Sequence, residues 1–137
     1  MSTTEIQNEI IEDFSVFDDW MDKYQYIMDL GKELDPIPDD LKKDEFLVNG
    51  CQSKVWVVPE FKDGKLFFKA DSDAFITKGI VALLLKVFNG RTPEEILDTD
   101  LFFIKEIGID EHLSMSRANG LNGMIEKIRD YAKQFKN

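Results

Sequence analysis

The sequence predicts an α+β fold in which helices pack around a small antiparallel three-stranded sheet. Three observations predict this fold. Apolar residues recur at helical spacing before residue 35 and after residue 72, short β-type runs fill residues 46–70, and Asp63-Gly64 is a hairpin turn signal within that region. The sequence contains no internal repeat, low-complexity tract or Gly/Ser-rich linker, so we expect residues 1–137 to form a single domain.

Two helices are predicted in the N-terminal region. The first covers residues 4–14, because apolar side chains recur there three or four positions apart. The second begins after Asp18 or Asp19, either of which can cap it. Its apolar face is formed by Trp20, Tyr24, Ile27, Leu30 and Leu34. Two prolines then end the helix, and residues 35–45 are predicted to be a charged loop.

The β-type runs lie in the middle of the chain, at residues 46–48, 54–58 and 65–70. Aromatic and β-branched side chains are frequent in them, as is typical of strands. Asp63-Gly64 lies between Phe61-Lys62 and the third run, and this dipeptide favours a type I′ turn between two antiparallel strands. The three runs are therefore predicted to pair as one small sheet.

A core helix is predicted after the sheet. The segment from about 73 to 88 is apolar on most sides, which is typical of a helix at the centre of a domain. Asp71 or Ser72 precedes it as a cap, and Gly90 stands where a helix commonly ends in glycine.

Further helices are predicted towards the C-terminus. Thr92-Pro93-Glu94-Glu95 combines a capping hydroxyl, a proline at the first helical position and two carboxylates in the first turn. Residues 101–107 are predicted to be a short helix or turn, and residues 115–135 the last helix, capped by Ser114 or Ser116. The buried seam predicted for this last helix contains Ala118, Leu121, Ile125, Ile128, Ala132 and Phe135.

Charge excludes several classes of partner. The chain has 17 Lys+Arg against 27 Asp+Glu, and its net charge of −10 disfavours nucleic acid and anionic membranes. The longest apolar run, residues 80–85, is far shorter than the roughly 20 residues of a membrane-spanning helix. The first 14 residues are acidic and lack the basic start of a signal sequence. We therefore expect a soluble cytoplasmic protein.

Cys51 is the outstanding candidate for chemistry. It is the single cysteine of the chain, so an internal disulfide and an all-protein Cys-based zinc or iron–sulfur site are excluded. A structural cysteine is usually buried among apolar neighbours. Cys51 instead lies in the polar stretch Asn49-Gly50-Cys51-Gln52-Ser53 between two β-type runs, where a thiolate would be reachable as a nucleophile.

Other residues are weaker candidates. His112 would serve as the general base of a Cys-dependent enzyme if the fold brought it to Cys51, although a surface histidine is the more common case. Arg117 would either stabilise a thiolate or, more commonly, form an ion pair with an acidic side chain. Gly120 costs the last helix about 1 kcal/mol of helix propensity, which indicates close packing against another element or a site. The acidic residues are scattered, so no metal site is predicted.

Several sequence blocks together resemble the SufE family of iron–sulfur assembly proteins, which includes CsdE. The most specific block is Gly50-Cys51-Gln52-Ser53-Lys54-Val55-Trp56. The other blocks are Trp20 with Tyr24-Gln25-Tyr26-Ile27-Met28-Asp29-Leu30-Gly31, Asp71-Ser72-Asp73-Ala74 with Lys78-Gly79, Thr92-Pro93-Glu94-Glu95-Ile96, and His112-Leu113-Ser114 with Ser116-Arg117 and Asn119-Gly120-Leu121. They occur in order along nearly the whole chain.

This resemblance implies a fold similar to that of SufE and the IscU-type scaffolds. It implies a sulfur acceptor that takes persulfide sulfur from a SufS-like or CsdA-like cysteine desulfurase onto Cys51, stimulates that enzyme, and delivers sulfur to a cluster scaffold such as the SufBCD complex. The chain itself would need no cofactor, since pyridoxal phosphate belongs to the desulfurase, and it would have no independent turnover.

The resemblance also assigns the neighbouring residues. Gly50, Gln52 and Ser53 would shape the loop of the acceptor cysteine, and Asp73 and Arg117 would lie near that loop or the partner surface. In free family members this cysteine is held against an apolar cavity and swings out when the partner binds. The two alternatives are the Cys-dependent enzyme using Cys51 with His112, and an acidic adaptor for a basic partner in which Cys51 is incidental.

Overall fold

The computed structural model describes residues 1–136 of the chain. Its helices and strands, in chain order, are α1 (Thr3–Ser15), α2 (Trp20–Lys32), β1 (Val55–Lys62), β2 (Lys65–Ser72), α3 (Phe75–Phe88), α4 (Pro93–Asp98), α5 (Phe103–Glu106), α6 (Ile109–His112) and α7 (Met115–Phe135). Two short 3-10 turns, Asp39–Leu41 and Asp44–Phe46, interrupt the predicted charged loop between α2 and β1. The mixed helix and sheet composition confirms the predicted class.

The two strands form an antiparallel hairpin. Pairing runs from Val55 opposite Ser72 to Lys62 opposite Lys65, which leaves Asp63 and Gly64 as the two central residues of the turn. Their φ angles are 53° and 78°, so both are left-handed, as a type I′ turn requires. The predicted hairpin turn is thereby confirmed.

The predicted third strand at residues 46–48 is wrong. The sheet within residues 1–136 has two strands, and the 46–48 segment contributes only a single bridge between Leu47 and Trp56. One hydrogen bond accompanies the bridge, donated by the Val48 N–H to the Val55 carbonyl at 2.9 Å. Pairing with β1 stops there.

The third strand does not extend further because of residues on β1 and α7. The Val55 carbonyl points away from β2, and alternate residues of a strand present their backbone groups to the same edge, so Val57 and Pro59 follow on that edge. The Val57 carbonyl already accepts a hydrogen bond from the Tyr131 hydroxyl of α7 at 2.8 Å, and Pro59 has no N–H to donate. A longer third strand therefore could not form hydrogen bonds at either position: the Val57 carbonyl is occupied, and Pro59 has no N–H.

Helix α3 is the centre of the core, as predicted. Ten of its 14 residues are buried, including Ile80, Leu84 and Phe88. Its predicted cap is wrong, because the N-cap residue is Ala74 and makes no side-chain capping bond. The Asp71 carboxylate is instead drawn into ion pairs with Lys78 at 3.3 Å and Lys42 at 3.6 Å, which place it beside the helix rather than over its first turn.

The other helix starts and ends follow the sequence. Thr92 and Glu95 form a capping box at the start of α4, and the Ser114 hydroxyl caps α7. Gly90 follows α3 with a φ of 75°, the left-handed conformation common at helix ends. In the predicted seam of α7, Leu121, Ile128 and Ala132 are buried, whereas Ala118, Ile125 and Phe135 are half-buried. Three further residues of this helix are buried, Gly120, Met124 and Tyr131.

Crossing a bilayer requires a helix that is both long and apolar along its length. Within residues 1–136, none of the helices combines these two properties.

Candidate functional site

Cys51 lies where the loop before β1 meets the first turns of α3 and α7. Its side chain lines a cavity of about 90 Å³. The loop contributes Cys51, Gln52 and Ser53, the start of α3 contributes Ala74, Thr77 and Ile80, and α7 contributes Ser116, Arg117, Gly120 and Met124. The cavity is therefore apolar towards the core and polar at its mouth.

The loop rests directly on the backbone of α7. A Cβ atom built on Gly120 would be 2.9 Å from the Cys51 Sγ, and one built on Gly123 would be 2.1 Å from the Asn49 carbonyl oxygen. A larger residue at position 123 would push the loop backbone away from the helix, whereas one at position 120 would meet the Cys51 side chain. The close packing that the sequence indicated for Gly120 is thus packing against Cys51.

The backbone conformation of Gly50 determines the path of this loop. Its φ of 89° is in the left-handed region that a residue with a side chain rarely adopts. A Cβ atom there would also be 3.3 Å from the Asn119 carbonyl oxygen of α7. Both conditions favour glycine immediately before the thiol.

Burial sets the chemistry of the resting thiol. Cys51 is a half-buried free cysteine, and desolvation raises its pKa above the ordinary value of a thiol. Within residues 1–136, no charged side chain or hydrogen bond contributes to this shift. In this conformation the sulfur is therefore held as a neutral thiol, against apolar atoms, without a base of its own.

Asp73 fixes the other end of the loop. Its Oδ1 accepts a hydrogen bond from the Lys54 N–H at 3.0 Å, and its own N–H donates to the Lys54 carbonyl at 3.2 Å. The Ser72 hydroxyl donates to the same carbonyl at 2.8 Å. Asp73 is exposed and does not line the cavity, and its contact with the loop is with the backbone of Lys54, three residues after Cys51.

Arg117 is at the cavity mouth, and the predicted ion pair is wrong. Across residues 1–136, its guanidinium has no carboxylate within 4.0 Å, because the nearby turns of α7 and the Cys51 loop carry polar but uncharged side chains. Arg117 is exposed and lines the cavity together with Cys51.

His112 is held elsewhere by its neighbours. Its ring stacks on Trp20 with centroids 3.8 Å apart and an interplanar angle of 18°, and its Nδ1 lies 3.0 Å from the Gly108 carbonyl. The Tyr24 hydroxyl donates a hydrogen bond to its backbone carbonyl. His112 is absent from the cavity lining, so the structure does not bring the proposed base to Cys51.

Sequence reasoning missed two exposed apolar residues beside the cavity. Phe75 is 71% exposed and follows the lining residue Ala74, and Met115 is 82% exposed and precedes the lining residue Ser116. Both stand at the first position of their helices, outside the buried seams. An apolar side chain at a helix start, off the seam, is the signal that would have found them.

Side chains that commonly bind metals are dispersed over the fold. Among the residues that the structure describes, no three His, Cys, Asp or Glu side chains are grouped so that they would hold a metal ion.

Comparison with known proteins identifies the family. The family described as "SufE: Fe-S metabolism associated domain" matches residues 8–132. An uncharacterized SufE-like protein of Rhizobium meliloti (strain 1021) is 41% identical over 131 residues, which cover 92% of this chain and 94% of that one. A second uncharacterized SufE-like protein, from Rhizobium etli, is 40% identical over 131 residues, 92% of this chain and 88% of its own.

A solved structure shows the same fold. The solution structure of a hypothetical protein from Thermus thermophilus superposes with a TM-score of 0.76, covers 94% of each chain, and is 19% identical. The protein is thus a member of a family of α+β domains associated with iron–sulfur metabolism. The chain belongs to the SufE family, as the Gly50-Cys51-Gln52-Ser53 block predicted.

Proposed function

We propose that this protein is a sulfur carrier. In this proposal Cys51 accepts sulfur from a SufS-like or CsdA-like cysteine desulfurase. The protein stimulates that enzyme and delivers the sulfur for cluster assembly on a scaffold such as the SufBCD complex. The observation that carries the proposal is the placement of the single thiol on a loop at the mouth of a small cavity, with no base beside it.

The transfer step is a thiol–persulfide exchange. The Cys51 thiolate attacks the outer sulfur of the desulfurase persulfide, the S–S bond of that persulfide breaks, and its electron pair returns to the desulfurase sulfur. The proton lost by Cys51 balances the proton taken up by the released thiolate. Cys51 then carries the persulfide, and no oxidant or reductant is consumed. Pyridoxal phosphate remains with the desulfurase, so the carrier needs no cofactor.

The cavity suits the product of this step. Its volume of about 90 Å³ exceeds the roughly 10–15 Å³ that one water-sized sphere needs. It can therefore take the outer sulfur of a persulfide next to Ile80 and Met124, where water has limited access. A second cysteine would resolve a carried persulfide into a disulfide, and the chain has none.

The raised pKa of Cys51 supports a carrier that works only with its partner. A thiol with no base is a poor nucleophile until the loop leaves the cavity and enters a more polar site. Phe75 and Met115 are exposed apolar residues next in sequence to the lining residues Ala74 and Ser116, which suits contact with a desulfurase that approaches the cavity. The Cys51–His112 enzyme is the weaker candidate, because His112 is stacked on Trp20 away from the cavity.

Mass spectrometry tests the proposal directly. The protein is incubated with a purified SufS-type desulfurase and cysteine, and we expect an added mass of about 32 Da, one sulfur atom, on Cys51. The variant Cys51→Ser should fold normally, gain no mass and fail to stimulate the desulfurase. A matched control, Cys51→Ser with Asn122→Cys, moves the thiol to an exposed position on α7 and should also fail.

Two outcomes would separate the alternatives. Stimulation retained by Cys51→Ser would show an adaptor in which the thiol is incidental. Loss of loading in His112→Ala, with folding intact, would favour the Cys-dependent enzyme.

A further inference from the structure

Towards its turn, one face of the β-hairpin is largely exposed to solvent in the part of the chain that the structure describes. Side chains alternate along a strand, and the inward-facing residues are packed against the helices: Val55, Val57, Leu66, Phe68 and Ala70 are all between 0% and 5% exposed. On the opposite face, Trp56 and Asp71 are covered by Lys42, and the six residues towards the turn, here called the outer hairpin face, are Val58, Glu60, Lys62, Lys65, Phe67 and Lys69. Most of these side chains are exposed, and Phe67 is 40% exposed.

Charge distinguishes this face from the rest of the molecule. The outer hairpin face holds three of the 17 basic residues and one of the 27 acidic residues, in a chain whose net charge is −10. Lys62 and Lys65 are cross-strand neighbours, and Lys69 lies opposite Val58 two residues beyond Phe67. None of these three lysines has a carboxylate within 4.0 Å among residues 1–136. The hairpin is thus a basic and partly aromatic patch on an acidic protein.

We propose that the outer hairpin face docks an acidic protein surface, that of the scaffold which receives sulfur from Cys51. This inference rests on the proposed function. A carrier must engage two partners in turn, and the exposed apolar pair Phe75 and Met115 beside the cavity suits the first. The second partner is selected at the hairpin by charge complementarity, since clustered lysines steer an acidic surface and an exposed aromatic side chain anchors it.

The position of the face fits delivery from Cys51. β1 starts four residues after Cys51, and its eight residues span about 26 Å at roughly 3.3 Å per residue. A protein bound along the hairpin therefore reaches from the turn to the loop that carries the thiol. A second copy of this chain is a poorer occupant, because its contact would join two different surfaces and would not close into a dimer.

Charge reversal tests the inference. The variant carries Lys62→Glu, Lys65→Glu and Lys69→Glu, and the control carries Lys86→Glu, Lys105→Glu and Lys133→Glu, three exposed lysines on helices. Both change the net charge equally. Binding to the purified SufBCD-type scaffold complex of the same organism is measured by interferometry at two salt concentrations, and folding is checked by circular dichroism.

We expect the hairpin variant to bind at least about 10-fold more weakly and to lose most of its salt dependence, while the control stays within about threefold. Phe67→Ser alone should also weaken binding. Persulfide loading of Cys51 by the desulfurase should be unchanged in every variant, so failure of loading in the wild type would count against the proposed function alone.

Several results would overturn the inference. The first is no measurable binding of the wild-type protein to the scaffold complex. The second is an equal loss of binding affinity in the two charge-reversed variants, and the third is full binding by the hairpin variant. Lysine-dependent binding to phosphatidylcholine vesicles containing phosphatidylserine, without scaffold binding, would assign the face to a membrane surface instead. Lysine-dependent self-association in sedimentation would assign it to a second copy.

Discussion

The Cys51 sulfur lies against the backbone of Gly120, where an added Cβ atom would be only 2.9 Å from Sγ. The missing side chain at Gly120 gives the half-buried thiol room to lie against the helix. This contact also explains why a glycine is placed inside a long helix, where alanine would be favoured by about 1 kcal/mol.

Gly120→Ala should therefore release the thiol. The new methyl group displaces the Cys51 side chain, which is free to rotate outwards, so we expect modification by a disulfide reagent at pH 7 to become several-fold faster. Stability should change little, because the gain in helix propensity offsets the lost packing. Asn122→Ala, on an exposed position of the same helix, is the control and should leave the rate unchanged. An unaltered rate in Gly120→Ala would show that this contact does not restrain the loop.

Gly123→Ala, unlike Gly120→Ala, should lower the stability of the protein. Its Cβ atom would be 2.1 Å from the Asn49 carbonyl oxygen, and backbone moves less easily than a side chain. Overpacking of this kind costs about 1–3 kcal/mol, of which about 1 kcal/mol is recovered as helix propensity. Urea denaturation should show Gly123→Ala to be less stable than both the wild type and Gly120→Ala. Equal stabilities of the two glycine variants would contradict the structure.

Titration of Cys51 gives the third prediction. Burial raises the pKa of the folded thiol, while the unfolded chain keeps the ordinary value of about 8.5. The unfolded state then ionises first as pH rises, so the stability contributed by the buried thiol is fully present below about pH 8.5 and is lost as pH rises through the folded pKa.

Denaturation at about pH 7.0, 8.5 and 9.5 checks this behaviour. The free energy of unfolding of the wild type should fall over this range more steeply than that of Cys51→Ser. Burial also raises the pKa of Tyr131, to about 12, and that of Tyr26, but both proteins carry these tyrosines, so their contribution cancels in the difference between the two curves. Parallel curves for the two proteins would mean that Cys51 is not desolvated in solution.

Local sequence predicted most of the helices because their signals are local. The Thr92–Glu95 capping box and the seam of α7 are both set by residues within a few turns of one another. The third strand failed for the opposite reason. Its pairing depends on Tyr131, which lies 74 residues beyond Val57 along the chain and occupies the Val57 carbonyl.

The same distinction holds at the site. The polar stretch around Cys51 identified the thiol, but its burial arises from α3 and α7, which reach it only in the folded chain. Arg117 and Asp73 were expected near the loop, and the structure gives each a definite position: one at the cavity mouth, the other bonded to Lys54. The ion pair expected for Arg117 failed because periodicity does not tell which side chains surround a charge.

Asp73→Ala should loosen the loop from its far end. The substitution leaves the Lys54 N–H without its carboxylate partner, which costs about 1 kcal/mol, while the two contacts to the Lys54 carbonyl remain. We expect a modest loss of stability together with faster hydrogen exchange at residues 51–54. Asp18→Ala removes another exposed carboxylate, one that is distant in sequence, and serves as the control. Exchange that accelerates equally in both variants would point to a general charge effect.

The apolar pair beside the cavity gives the last prediction. Phe75 and Met115 are 71% and 82% exposed, so replacing them with serine removes no core packing, and the fold should be unaffected. If they contact the desulfurase, each substitution should raise the concentration of carrier needed for half-maximal stimulation by about 10-fold, the size expected when an anchoring side chain is lost. Modification of Cys51 by a small reagent should stay at the wild-type rate, because the thiol itself is untouched.

Met21→Ser is the matched control, since Met21 is 81% exposed on α2 and outside the cavity lining, and it should stimulate as the wild type does. Stimulation by Phe75→Ser and Met115→Ser at the Met21→Ser level would show that the desulfurase approaches Cys51 from another side.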